Sequence, residues 1–180
     1  MNVLISGGCK NGKSGFAQET ALKLAGDGKR CYVATMIPFD DEDRARVEKH
    51  IEDRRGMGFQ TLEVPRDIAS CLEAGGAAGT YLIDSVTALL LNEMFPSFDA
   101  DADPEAVPRM IEGLQKITEK AANAVFVTDY IYSDAARYDD FTENYRASLA
   151  AVDRMLAKRC DTVIELAAGN VVFHKGGLPL

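Results

Sequence analysis

Apolar positions fall into short strand-like runs and longer helical repeats, and their order along the chain predicts the architecture. Val3-Leu4-Ile5 is a strand-type run, and Phe16-Ala17, Ala21-Leu22 and Leu24-Ala25 recur at helical spacing until Gly26-Asp27-Gly28 stops them. Cys31-Tyr32-Val33-Ala34 predicts a second strand. A helix opens at Asp40-Asp41-Glu42 and runs to about Arg55, with Val47 and Ile51 on its buried side, and Gly56-Met57-Gly58 ends it. Phe59 to Val64 alternates as a strand, Pro65-Arg66-Asp67 starts a short helix to about Ala74, and Tyr81-Leu82-Ile83 is a buried strand closing on Asp84.

A helix over Val86 to Met94 follows. The acidic, turn-rich stretch from Pro96 to Pro108 is expected to be a mobile loop. Within it Asp103-Pro104-Glu105 predicts a cap, a first helical position and a first-turn acid for a helix reaching about Ala122. Ala124 to Thr128 is a strand ending on Asp129, and Phe141, Tyr145, Leu149, Val152 and Leu156 mark one face of a long helix. Thr162 to Leu166 and Val171 to His174 flank Gly169-Asn170 as a closing β-hairpin. Strands alternating with helices predict an α/β fold, a mostly parallel sheet with helices on both faces.

Composition narrows the partners. The net charge of −8 argues against wide contacts with nucleic acid or anionic membranes. Anionic ligands must then be met by local positive groups. Cys9, Cys31, Cys71 and Cys160 form no C-x-x-C pair, so reduced thiols in a cytoplasmic protein are expected. The chain starts directly on strand and loop, an expectation of no signal peptide. Its longest apolar run, Val86 to Leu91 with Thr87 inside it, is too short to span a bilayer.

The chemistry centres on Gly7-Gly8-Cys9-Lys10-Asn11-Gly12-Lys13-Ser14, set between a strand and a helix. In that context G-x-x-x-x-G-K-[ST] is a phosphate loop: glycines let backbone N–H groups face phosphate oxygens, and the helix N-terminus favours negative charge. Lys13 is expected to reach the β and γ phosphates, and the Ser14 hydroxyl to bind Mg²⁺. All eight residues are candidates for nucleotide binding. Cys9 reads as a small loop filler, and Lys10 either adds a nucleotide contact or faces water. One such loop and no repeat make residues 1–180 a single P-loop nucleotide-binding domain.

Asp84, at the end of an apolar strand, has the form of a second Mg²⁺ ligand; Asp129 ends another strand with the same ambiguity between metal binding and capping. Arg46, His50 and Arg54 are spaced i, i+4, i+8 on one helix face. Two guanidiniums flanking an imidazole suit attack on a nucleotide α-phosphorus, since both cations favour the neutral nucleophile. The same spacing equally describes a solvated face whose arginines pair with Asp43, Glu48 and Asp53.

Taken together, these stretches resemble the bifunctional adenosylcobinamide kinase / adenosylcobinamide-phosphate guanylyltransferase family of cobalamin biosynthesis. Its Y-[IV]-A-T strand, D-D-E segment and R-[IV]-x-x-H-x-x-x-R helix match Tyr32 to Thr35, Asp40 to Glu42 and Arg46 to Arg54. Its apolar strand, acid and T…N helix match Leu82-Ile83-Asp84, Thr87 and Asn92. Its aromatic-Arg pair, L-A and D-x-V match Tyr145-Arg146, Leu156-Ala157 and Asp161-x-Val163. The correspondence covers nearly the whole chain in order.

The resemblance implies two reactions. A γ-phosphoryl group passes from ATP or GTP to the hydroxyl of the cobinamide aminopropanol arm. GMP then passes from GTP to that phosphate through a guanylyl-histidine, releasing pyrophosphate, with His50 in the guanylylated position and Lys13, Arg46 and Arg54 assisting. It also implies a homo-oligomer. The chain departs from the family at Arg55, where the family has Pro, and at Asp153, where it has Asn. The run Asp129-Tyr130-Ile131-Tyr132-Ser133-Asp134-Ala135-Ala136-Arg137-Tyr138 replaces a glycine-flexible loop. The alternatives are a P-loop small-molecule kinase without guanylyl transfer, and a non-catalytic nucleotide-binding regulator.

Overall fold

The computed structural model describes residues 1–97 and 102–179; the side chain of Arg46 lies outside the described residues. Seven strands form one sheet in the order β3-β2-β4-β5-β1-β6-β7. They are β1 (Asn2–Gly7), β2 (Arg30–Ala34), β3 (Phe59–Glu63), β4 (Thr80–Asp84), β5 (Asn123–Asp129), β6 (Thr162–Ala167) and β7 (Asn170–Lys175). All neighbours pair in parallel except β6 and β7. The closing hairpin therefore forms as expected. Its two-residue turn places Ala168 and Gly169 at φ 49° and 78°, the left-handed pair that matches strand twist.

The helices are α1 (Lys13–Ala25), α2 (Asp41–Asp53), α3 (Cys71–Gly75), α4 (Val86–Met94), α5 (Ala106–Lys120) and α6 (Asp140–Arg159). Strand alternation divides the core in two. Val3, Ile5, Tyr32, Leu82, Val125 and Val127 pack with Ala17 and Ala21 of α1 on one face. Leu4, Val33, Ile83 and Phe126 pack with α4, α5 and α6 on the other. Sheet buried on both sides explains why β4 and β5 read as continuous apolar runs.

Three local expectations give way. Ile51 is 52% exposed and Val47 only half-buried. Helix α2 stands off the core, its apolar residues too few to hold it down. The segment after Pro65 begins as a 3₁₀ turn at Ile68–Ser70, following Asp67 in a left-handed conformation, and becomes α3 only at Cys71. Helix α5 starts at Ala106 rather than at Pro104, because the Asp103 carboxylate and carbonyl accept from Glu105 and Ala106 and close a turn first. The expected loop lies partly outside the described residues, Asp99 and Asp101 included.

Candidate active site

The phosphate loop joins β1 to α1 at the carboxyl ends of the strands, where ligand crevices of open α/β sheets form. Two glycines are required by geometry. A Cβ on Gly7 would come within 2.6 Å of the Leu166 carbonyl oxygen, and Gly12, which caps α1, has φ 91°. The Asn11 Nδ2 donates to that same Leu166 carbonyl, tying the loop to β6. Cys9 and Lys10 are exposed at the loop's outer turn.

Lys13 is 6% exposed. Its ammonium donates to the Gly8 carbonyl at 2.6 Å and to Asn11 Oδ1 at 3.3 Å, and forms an ion pair with Asp129 Oδ1 at 2.7 Å. Asp129 sits opposite Gly7 in the β1–β5 register, and its backbone N–H donates to the Thr87 hydroxyl at 2.9 Å. In this structure the Asp129 carboxylate holds the phosphate-loop lysine. Nothing in the local sequence signals a pairing between residues so far apart in the chain.

Asp84, half-buried at the end of β4, accepts from the Tyr32 hydroxyl at 3.0 Å. The Arg54 guanidinium carbon lies 3.4 Å over the centroid of the Tyr32 ring. Burial and then the Asp84 charge push the Tyr32 phenol well above the usual range, so it stays a neutral donor. Arg54 follows the last turn of α2 as its C-cap and is 7% exposed, with Nη1 buried and without a hydrogen-bond partner among the described residues. His50 is half-buried in the last turn of α2, and among the described residues no hydrogen bond ties it to the phosphate loop. Of the i, i+4, i+8 row, one member is thereby packed inward rather than solvated.

Ser14 follows Lys13 in the first turn of α1. Among the described residues there is no cluster of three or more His, Cys, Asp or Glu side chains placed to hold a metal alone. The donor set of Ser14 hydroxyl and Asp84 carboxylate fits Mg²⁺, which keeps waters and takes the rest of its shell from nucleotide oxygens.

The matched motif residues also build the walls. Asn92 donates to the carbonyls of Thr35 and Pro65 at 2.7 and 3.2 Å, and the Tyr145 hydroxyl donates to the Thr87 carbonyl at 2.8 Å. Arg146, buried, donates to the carbonyls of Ile131 and Ala136 and forms ion pairs at 2.8 Å with Asp134 and Glu143. The divergent run after Asp129 is therefore a wall wired to α6.

A family described as "Cobinamide kinase / cobinamide phosphate guanyltransferase" matches residues 3–173. No curated protein gives a significant sequence match. Among solved structures, the chain is similar to the flagellar accessory protein FlaH from Methanocaldococcus jannaschii, with TM-score 0.53 and 13% identity over 98% of this chain and 78% of that one. It is also similar to a KaiC-like protein from Pyrococcus horikoshii OT3, with TM-score 0.54 and 13% identity over 99% of this chain and 82% of that one. These likenesses establish the P-loop fold. No helix among the described residues is long and apolar enough to cross a membrane.

Proposed function

The chain belongs to the cobinamide kinase / cobinamide phosphate guanyltransferase family, an enzyme family of transferases acting on corrinoid and nucleoside triphosphate substrates, and on that premise we propose how its residues divide the work. Lys13 and the backbone of residues 7–14 bind the triphosphate, with Lys13 leaving Asp129 for the β and γ oxygens. Ser14 and Asp84 hold Mg²⁺, which when bound neutralises charge developing on the phosphates. His50 accepts GMP, with Arg46 and Arg54 gripping the phosphates.

The observation that carries this reading is Arg54. A buried guanidinium whose Nη1 has no hydrogen-bond partner among the described residues, stacked on the tyrosine that orients Asp84, is a donor waiting for an anionic oxygen. His50 lies four residues before it, on the same helix face. In the first displacement an imidazole nitrogen bonds to the GTP α-phosphorus while the bond to the bridging oxygen breaks, and pyrophosphate leaves. In the second, the cobinamide phosphate oxygen bonds to that phosphorus, the N–P bond breaks, and the imidazole is restored.

The preceding phosphoryl transfer, from ATP or GTP to adenosylcobinamide, uses the same loop without His50. A cytoplasmic homo-oligomer completes the reading. Supporting association, β7 is an edge strand with Val171, Val172 and Phe173 exposed.

The test is incubation with Mg²⁺ and α-labelled GTP, denaturation, and detection of protein-bound label, with His50→Ala alongside. An acid-labile adduct in the parent and none in His50→Ala is expected, while phosphoryl transfer from a γ-labelled nucleotide to cobinamide persists in both. A parent that binds GTP and phosphorylates cobinamide yet forms no adduct would confine the chain to the kinase half.

A further inference from the structure

A cavity of about 540 Å³ is lined by α6, by β1, β5, β6 and β7, and by the run after β5, a volume typical of small-ligand sites. Ser6 and Thr128 line it, and each is the residue immediately before a member of the phosphate site, Gly7 and Asp129. Its wall also takes Tyr130 and Tyr132 from the run that follows β5.

Asp153 of α6 lines the same cavity and is 6% exposed. Its Oδ2 accepts from the Tyr132 hydroxyl at 2.9 Å and from the Thr128 hydroxyl at 3.1 Å. Its Oδ1 is buried and has no hydrogen-bond partner among the described residues. One oxygen fully supplied with donors and the other with none is costly unless something else supplies the missing donor. Burial raises the carboxyl to about 6, against the two hydroxyl donors that lower it, so at pH 7.5 the group is ionised and accepts only.

The surroundings select the donor. Tyrosine rings and the side chains of Leu4, Ala157, Val163 and Ile164 make much of the wall apolar, and the charged groups that line the rest are of both signs, Arg154 and His174 against Glu165 and Asp153, which suits a neutral group carrying N–H. A carboxylate placed against Asp153 Oδ1 would meet a like charge at hydrogen-bond distance. A corrinoid presents primary carboxamides on arms around its macrocycle, and the cavity has room for one arm.

We propose that this cavity is a corrinoid subsite in which Asp153 Oδ1 accepts an N–H from a peripheral carboxamide and so selects an amidated arm over a carboxylate arm. The proposal rests on the reading of the chain as a cobinamide kinase / guanyltransferase and assigns the specificity residue within it. Asp153 does no chemistry; it discriminates.

Binding and phosphorylation of two probes test it at pH 7.5: cobinamide, and cobinamide derivatives with one carboxamide hydrolysed to the acid. The parent is expected to favour the full amide over at least one acid isomer by about 10-fold or more, the size a like-charge contact produces. Asp153→Asn, whose amide can face an acid, is expected to bring that ratio to within about threefold while KM for ATP and GTP stays unchanged. The parent comparison needs no variant, so a folding defect in Asp153→Asn leaves the test intact. A parent indifferent to every acid isomer overturns the subsite while the kinase reading stands. So does an Asp153→Asn variant whose nucleotide choice shifts but whose amide preference does not, which would make the cavity a base pocket. A parent that binds and phosphorylates no cobinamide overturns both readings.

Discussion

The guanidinium of Arg54 rests 3.4 Å above the Tyr32 ring, whose hydroxyl donates to Asp84 at 3.0 Å. This stack fastens the end of α2, the helix that carries His50, to the carboxylate at the end of β4. A helix otherwise standing off the core is thereby anchored at the end where the proposed chemistry occurs. The contact also joins the helix of the proposed nucleophile to the proposed metal carboxylate.

Removing the hydroxyl alone separates the two functions of Tyr32. Tyr32→Phe keeps the ring under Arg54 and frees Asp84, so the half-saturating Mg²⁺ concentration of phosphoryl transfer should rise about 10-fold, as outer-shell losses do. The melting temperature should move little. Titrating Mg²⁺ at saturating nucleotide checks this, and an unchanged Mg²⁺ dependence would remove Asp84 from the metal site. Arg54→Ala is the complementary change: losing the stack should cost about 1–2 kcal/mol of stability and slow adduct formation more than phosphoryl transfer.

Lys13 supports a second prediction. Lys13→Met keeps the side-chain length but removes both the ion pair to Asp129 and the phosphate contact. Nucleotide affinity should fall about 10- to 100-fold, the worth of one hydrogen bond to a charged group. Calorimetric titration of the parent and variant with either nucleotide measures it. A variant that binds within about twofold of the parent would mean that Lys13 never leaves Asp129.

What sequence could reveal here was set by how local each signal is. The phosphate loop was legible because all its requirements, glycine at 7 and 12, lysine at 13 and a hydroxyl at 14, fall within eight residues. Strands β4 and β5 were legible because double-sided burial leaves unbroken apolar runs. The exposure of Ile51 was not, because helical spacing tells which residues share a face and not whether anything covers it. Lys13 with Asp129, Arg54 with Tyr32, and Asp153 with Tyr132 and Thr128 depend on strand order and helix docking, which no local pattern encodes. The T…N and aromatic-Arg matches pointed at Thr87, Asn92, Tyr145 and Arg146 without their purpose, which is to brace the loops around the site.

Arg146 gives a third prediction. Its guanidinium holds three carbonyls, of Ile131, Asp134 and Ala136, and the carboxylates of Asp134 and Glu143 while stacking 4.9 Å from the Tyr138 ring. Arg146→Ala should lower stability by about 2–3 kcal/mol, the cost of stranding partners of a buried charged donor. Amide exchange should quicken over residues 131–138 and stay unchanged in β1 and β4. Uniformly faster exchange would instead mean that Arg146 supports the whole fold.

Asp153 should also leave a mark on the pH dependence of stability. In the unfolded chain its carboxyl titrates near 3.9, and in the folded protein burial, aided by Asp129, raises it to about 6. Between those values the unfolded chain gives up a proton that the native state keeps, so raising the pH favours unfolding. The contribution of Asp153 is thus fully present below about pH 4 and gone above about pH 6. Asp153→Asn never ionises and should lack this loss. Its stability relative to the parent should rise across that interval by ~3 kcal/mol at most, since a tenfold change in proton affinity is worth about 1.4 kcal/mol. Urea denaturation of both proteins from pH 4.5 to 7.5 isolates the difference, since other carboxylates titrate alike in each. A difference independent of pH would mean that Asp153 keeps an ordinary carboxylate affinity for its proton, solvated through the cavity it lines.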